Sequence, residues 1–439
     1  MMRCSRYGRL ASLAVAALLA ATAMVFLWPR FAGPSGSAGA DSVTVLQVAN
    51  WGGPAVDPSF LKIEHEVLAE FERRHPGVTV RVENIPGRGQ YVPKLLMTYV
   101  ARNPPDVMTL DASSAAVFID NGLLADLMPT IRGDPAFRLD DFFPNVVDIA
   151  RQGDRLYAIP SDFTPMVIVY NKRVFDEARR PYPRPGWTRT DFLETAQALT
   201  VRGEGRAAPR RYGFNFQKEM PLWFPWIWAG GSDVLSPDGR HAVGYLDAPA
   251  TVETIGFLAD LVRTHRVAPS LSESAAAGVD LFRTGRAAMT MTGHWSLIEY
   301  RVDKMDIGVA AIPTSGGDRV TVMYEAGLAI SAASPHKEAA WEYIKYRVST
   351  EVQKKVLAAG LAISANKGVA RSFAGDPVED AFLEEVPYAR RPWGARVERY
   401  ELVEDLGREM MEDILTGGVP ARDAAARTAR LIEAELERQ

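Results

Sequence analysis

Val43-Thr44-Val45-Leu46-Gln47-Val48 opens the stretch on which the fold turns. Its branched residues read as a β-strand, and Asn50-Trp51-Gly52-Gly53-Pro54 breaks it into a loop. From Pro58 to His75 the apolar residues Leu61, Leu68 and Phe71 recur at helical spacing, and Pro76-Gly77 stops the helix. Val78-Thr79-Val80-Arg81-Val82 is a second strand with period two. A helix over about 91–102 follows, then a third strand, Asp106-Val107-Met108-Thr109-Leu110, which opens into Asp111-Ala112-Ser113-Ser114. Strand–helix–strand–helix–strand predicts a parallel sheet covered by helices. Ligands of such sheets bind beyond the carboxyl ends of the strands, where both loops lie.

Downstream, Leu156–Pro160 and Met166–Tyr170 read as strands flanking a Ser161-Asp162-Phe163-Thr164 connection. Helices are expected at 188–200, 249–265, 277–285, 335–347 and 350–358, and strands at Arg286–Thr292 and Thr321–Ile330. The last stretch, Tyr400 to Arg438, is helical and charged, with one break at Thr416-Gly417-Gly418.

The N-terminal forty residues have a different character. Arg3, Arg6 and Arg9 precede an uncharged run of 19 residues, Leu10 to Trp28, and then a small-residue segment ending Ala38-Gly39-Ala40. This order describes a secretory signal, and cleavage would leave Asp41 first. The run is also about long enough to span a bilayer as a helix, so a retained N-terminal membrane anchor stays open. Either way the chain is exported to the periplasm or beyond. Its one cysteine, Cys4, precedes the apolar run and permits no internal disulfide.

Charge narrows the partners. Residues 1–40 hold four of the 50 basic residues and none of the 54 acidic ones, which leaves a formal charge of -8 on residues 41–439. That balance favours solubility and argues against nucleic acid. Length predicts two or three domains, and 47% hydrophobic with 24% charged residues is ordinary for a globular chain. His65-Glu66 begins a zinc-protease pattern, but Ala69 stands where the second histidine belongs. No G-x-S-x-G elbow, P-loop or metal-spaced histidine pair is present. No metal or cofactor is therefore expected.

Five stretches, in order, resemble the carbohydrate-binding solute-binding proteins of ABC importers, the maltose-binding-protein group. They are Phe71–Val80; Asn103–Val107 with Asn121–Leu127; Gly153–Pro160 with Val169-Tyr170-Asn171-Lys172; Phe282–Met289 leading to Gly293-His294-Trp295; and Gly327–Ser331 before Ser334–Ala340. The resemblance implies an α/β, two-lobed periplasmic-binding-protein fold of type II. Each lobe would be a mainly parallel sheet flanked by helices, with a hinge crossed three times by the chain. Aligned here, 41–158 and 325–375 form lobe 1, and 159–324 and 376–439 form lobe 2. The implied function is non-catalytic capture of a carbohydrate in the interlobe cleft by a monomer, for delivery to membrane permease subunits. The alternatives are an exported carbohydrate-active enzyme, or the same fold binding a polyol, glycerophosphodiester or polyamine.

Sugars need carboxylates and amides for their hydroxyls and flat aromatic rings for their C–H faces. Nine tryptophans and few clustered cations favour a neutral sugar over a phosphate. The resemblance marks Trp295, in the G-x-W turn, as a ring that stacks on a pyranose, and Asp162 as a carboxylate facing sugar hydroxyls. Trp51, Asp111 and Ser113 sit at strand carboxyl ends, although Asp111 and Ser113 would equally cap the helix that follows. Glu325 stands alone in an apolar strand (Val320, Val322, Ala326, Leu328) and needs a partner if buried. Arg391 and Trp393 match another aromatic wall, and Trp223 aligns near a cleft aromatic. Trp226 and Trp228 read as core, as does the helical Trp341.

Overall fold

The computed structural model describes residues 43–51, 58–85, 88–111, 114–203, 210–315, 317–358, 360 and 362–438. The export segment, Gly52–Gly53 and Ser113 lie outside the described residues. The larger sheet is built from β1 (Thr44–Trp51), β2 (Val78–Ile85), β3 (Val107–Asp111), β6 (Ala158–Pro165), β11 (Thr321–Ile330) and β12 (Ile363–Ser364) in the order β12-β6-β11-β3-β1-β2. A short β13 (Ala389–Arg390) pairs with the start of β11. A second sheet has the order β10-β7-β9-β8, from β7 (Val167–Asn171), β8 (Tyr212–Asn215), β9 (Ala287–Thr292) and β10 (Ile307–Ala310). Between β3 and β6 a small hairpin joins β4 (Arg151–Gln152) to β5 (Arg155–Leu156).

Helices cover both sheets. Val67, Phe71, Tyr91, Leu95, Phe118 and Trp341 pack from helices onto the larger sheet. Phe192, Trp226, Ile255, Leu258, Met410 and Ile432 do the same for the smaller one. The apolar spacing that predicted helices 58–75 and 350–358 becomes helices Pro58–Arg74 and Thr350–Ala358. The break at Thr416-Gly417-Gly418 separates Tyr400–Gly417 from Ala421–Leu436, and Gly418 supplies the left-handed turn with φ of 66°.

Three expectations need correction. The sheets are mixed rather than mainly parallel: β1–β2, β1–β3, β8–β9 and β11–β13 are parallel, whereas β6, β11 and β12 in the larger sheet, and β7 with both its neighbours, run antiparallel. The reason is topological. β11 arrives from the other sheet and enters between β3 and β6 against the direction of both. Residues Ser161–Thr164 are not a connection but the middle of β6, paired with β11. The helix expected at 277–285 lies earlier, at Leu271–Ala277. Ser270 and Glu273 form a capping box that starts it, and Gly278 ends it with φ of 62°.

The chain passes between the sheets at one place. Only Met166 separates β6 from β7. Its N–H donates to Val322 O (3.1 Å), and its carbonyl accepts from Thr321 Oγ1 (2.6 Å). On the other side, Thr321 and Val322 pair with Ala389 and Arg390 of β13. Three passages are thus stitched together at Thr321–Val322. β6 stays in the larger sheet as far as Pro165.

Trp226 is fully buried and meets Phe192 edge-on at 5.0 Å. Trp226→Ala should cost about 3–5 kcal/mol of folding stability, read as a lower denaturation midpoint.

Candidate ligand-binding site

β11 runs between β3 and β6, and Ala326 has Asp111 as its register partner on one side and Asp162 on the other. The register breaks between Ala326 and Gly327, and Glu325 precedes this bulge. Three adjacent strands therefore bring Asp111, Asp162 and Glu325 to one place. All three line a cavity of about 610 Å³. Asn50 and Trp51 reach it from the carboxyl end of β1, Thr164 from β6, Trp295 from the turn after β9, and Tyr324 from β11.

The aromatic walls are held from behind. Trp51 meets Tyr91 edge-on at 5.3 Å, and the Tyr91 hydroxyl donates to Ala49 O (3.0 Å). Trp295 folds back over Gly293, where a Cβ would stand 2.3 Å from the indole, so glycine is required by close approach. The turn carrying Trp295 is tied down by Thr292 Oγ1 and Ser296 Oγ, 2.6 Å apart, and by the His294 N–H, which donates to Thr164 Oγ1 (2.7 Å). Behind it, His294 Nε2 lies 3.0 Å from both oxygens of Glu379, which also accepts from Arg301. Trp295 itself remains 43% exposed, unusual for the largest apolar side chain.

The carboxylates carry strain of an electrostatic kind. Asp111 Oδ1 accepts from Ser114 Oγ (2.6 Å), and Asp162 Oδ2 from Ser161 Oγ (2.7 Å). Glu325 is 5% exposed, and its Oε2 has no hydrogen-bond partner. Burial, then repulsion from Asp162 and Asp111, pushes the Glu325 carboxyl well above the usual range. Burial likewise lifts Asp162 to about 6, against the Ser161 hydrogen bond. At the rim Arg347 Nη1 donates to both Glu64 oxygens (2.8 and 3.0 Å), so the guanidinium lining the cavity is already paired.

Of the residues singled out in the sequence, Trp51, Asp111, Asp162, Trp295 and Glu325 line this cavity. Trp223, Trp393 and Arg391 do not. Trp223 is fully buried and donates its indole N–H to Lys218 O (2.8 Å). Trp393 is buried, donates to Asp233 Oδ1 (2.8 Å), and is covered by the Arg396 guanidinium at 4.1 Å. Arg391 spends Nη2 on Arg151 O and Ala395 O and lines a different, smaller cavity. The sequence reading missed Tyr324, Glu219, Pro221, Leu222 and the Glu64–Arg347 pair, which also line the site. Tyr324 had a signal, as the aromatic neighbour of Glu325. The pair had none, since its members are 283 positions apart.

The sequence profile described as bacterial extracellular solute-binding protein matches residues 57–354. The chain belongs to that family. A maltooligosaccharide ABC transporter solute-binding lipoprotein of Streptococcus pneumoniae is 22% identical over 454 residues, covering 99% of each chain. Among solved structures, the solute-binding fold is shared with an ABC substrate-binding protein of Listeria monocytogenes in complex with cycloalternan. It has a TM-score of 0.80 at 22% identity, over 90% of this chain and 99% of that one. A maltose/maltodextrin-binding domain of Bdellovibrio bacteriovorus bound to maltotriose superposes with a TM-score of 0.75 at 20% identity, over 90% and 100% of the two chains. The fold is thus the two-lobed type II architecture of the extracellular solute-binding proteins, whose family description also makes this an exported protein.

An acid whose carboxyl is raised by folding is most comfortable protonated. The Asp162 contribution to stability is thus present below the ordinary carboxylate value and lost as pH rises through about 6. Asp162→Asn should raise the unliganded melting temperature at pH 7.5 by on the order of 1–3 °C and leave it nearly unchanged at pH 4, as checked by calorimetry across that range.

Proposed function

We propose that this protein captures a carbohydrate in the cavity lined by Trp51, Trp295, Asp111, Asp162 and Glu325, and delivers it to the membrane permease subunits of an ABC importer. The single observation that carries this reading is the combination of walls: two indoles on opposite sheets, one half-exposed, facing a floor of hinge-strand carboxylates. Flat apolar faces suit the C–H surface of a pyranose, and charged acceptors make the stronger hydrogen bonds to its hydroxyls. The pneumococcal relative's maltooligosaccharide and the cycloalternan and maltotriose in the two related structures support the same class of ligand.

In this reading the lobes are 43–165 with about 325–375, and 167–320 with about 376–438, following the sheet to which each segment's strands belong and the packing of helix Pro377–Leu383 against β10. Closure bends the chain at Met166, Thr321–Val322 and Ala389–Arg390, a hinge motion known for binding proteins. The protein acts as a monomer and does no chemistry on its ligand. Residues 1–40 direct export, either removed before Asp41 or kept as an anchor.

A thermal-shift screen against a saccharide panel tests the class, because a ligand at 100 times its dissociation constant adds about 2.7 kcal/mol of stability. With a ligand in hand, Trp295→Ala should lose about 2–4 kcal/mol of binding, roughly 30- to 1000-fold in affinity. The unliganded melting temperature should barely move, since the ring is half-exposed. A strongly destabilised variant with normal affinity would remove Trp295 from the site, and cleavage products after long incubation would replace the binding protein by an enzyme.

A further inference from the structure

Charges around the cavity do not balance. Asp162, Glu219 and Glu325 line it with no salt bridge to a cation among the described residues, and the one guanidinium among the described lining residues, Arg347, is held by Glu64. Other basic groups approach from behind. Arg391 faces Glu325 with Nη2 on two backbone carbonyls and Nε unpartnered, so a single guanidinium offsets part of the negative charge, and His294 faces Asp162 with its Nε2 on Glu379. Glu325 is the telling residue. It is 5% exposed, beside two further carboxylates, with Oε2 unpartnered and the cavity in front of it. A sugar hydroxyl offers such a group one hydrogen bond and leaves the mutual repulsion in place. An ammonium offers three donors and cancels charge. The walls suit a cation as well, because indole faces attract one.

We propose that the saccharide taken by this cleft carries a protonated amine, which docks against Glu325 and Asp162. The proposal rests on the carbohydrate reading above and narrows it. It also explains why the carboxyls are tolerated: they are partly protonated in the empty site and ionise when the cation arrives. Asp162, lifted to about 6 by burial, and Glu325, raised by burial, Asp162 and Asp111 against Arg391, both release protons on binding. The other charges facing Asp162 are Arg347, His294 and Glu64.

The test uses the purified exported protein and a matched panel: oligosaccharides of glucosamine, galactosamine and mannosamine, each beside its hydroxyl and N-acetyl counterparts, with putrescine and spermidine alongside. Calorimetry at pH 6.5 should find at least one amine-bearing saccharide about tenfold or more tighter than its hydroxyl counterpart. At pH 5.5, heats in two buffers of different ionisation enthalpy should show proton release. Glu325→Gln should reduce the preference about tenfold or more without lowering the melting temperature; if that variant fails to fold, Asp162→Asn gives the same readout. A hydroxyl counterpart that binds as tightly as the amine, in every pair that binds, overturns this inference and leaves the carbohydrate reading standing. Binding of the polyamines with no saccharide overturns the carbohydrate reading and the inference with it. No binding by any member overturns both.

Discussion

The antiparallel pairing of β6 with β11 is the interaction on which the rest depends. From Met323↔Pro165 to Ala329↔Ala158 the two strands lie side by side, and at the Pro165 end β6 leaves the larger sheet for the second one while β11 arrives from it. The same backbone that lets the chain change sheets sets Asp162 and Glu325 next to each other. Site and hinge are therefore one piece of structure. A ligand held by these carboxylates acts directly on the residues about which the lobes bend, and no longer pathway has to be invoked to link binding to closure.

The empty site is electrostatically unfavourable by construction. Carboxylates are rarely buried close together, and here Asp111 and Asp162, each accepting from a serine, share one end of the cavity with Glu325, whose Oε2 is unpaired. Such an arrangement gives up stability in the free protein in exchange for interactions completed when a ligand supplies the missing donors. The aromatic walls play the opposite part. Trp51 is set against Tyr91, and Trp295 is pinned over Gly293 by the His294–Thr164 bond, so little order remains to be imposed on binding.

Much of this was legible in the sequence. Strand–helix alternation from Val43 to Leu110 announced the parallel half of the larger sheet, and its carboxyl-end loops pointed to Trp51 and Asp111. Glu325 stood out because a lone carboxylate in an apolar strand must meet something. The rest depended on contacts that no local pattern encodes. A tryptophan beside a loop reads alike whether it faces a cleft or a core, and only Lys218 O and Asp233 decide the matter for Trp223 and Trp393. Strand direction was misjudged for a related reason: β6 and β11 look like any apolar strands, and their orientation follows from where the chain has come from. Ser161–Thr164 reads as a polar interruption because its hydroxyls and carboxylate face a cavity rather than a core.

The central claim is that a saccharide binds between the lobes and draws them together. Small-angle scattering of the exported protein, with and without a saturating saccharide identified by thermal shift, tests it most directly. The account predicts a smaller radius of gyration in the liganded protein with an unchanged far-ultraviolet circular dichroism spectrum. Scattering curves that coincide at saturation would contradict it.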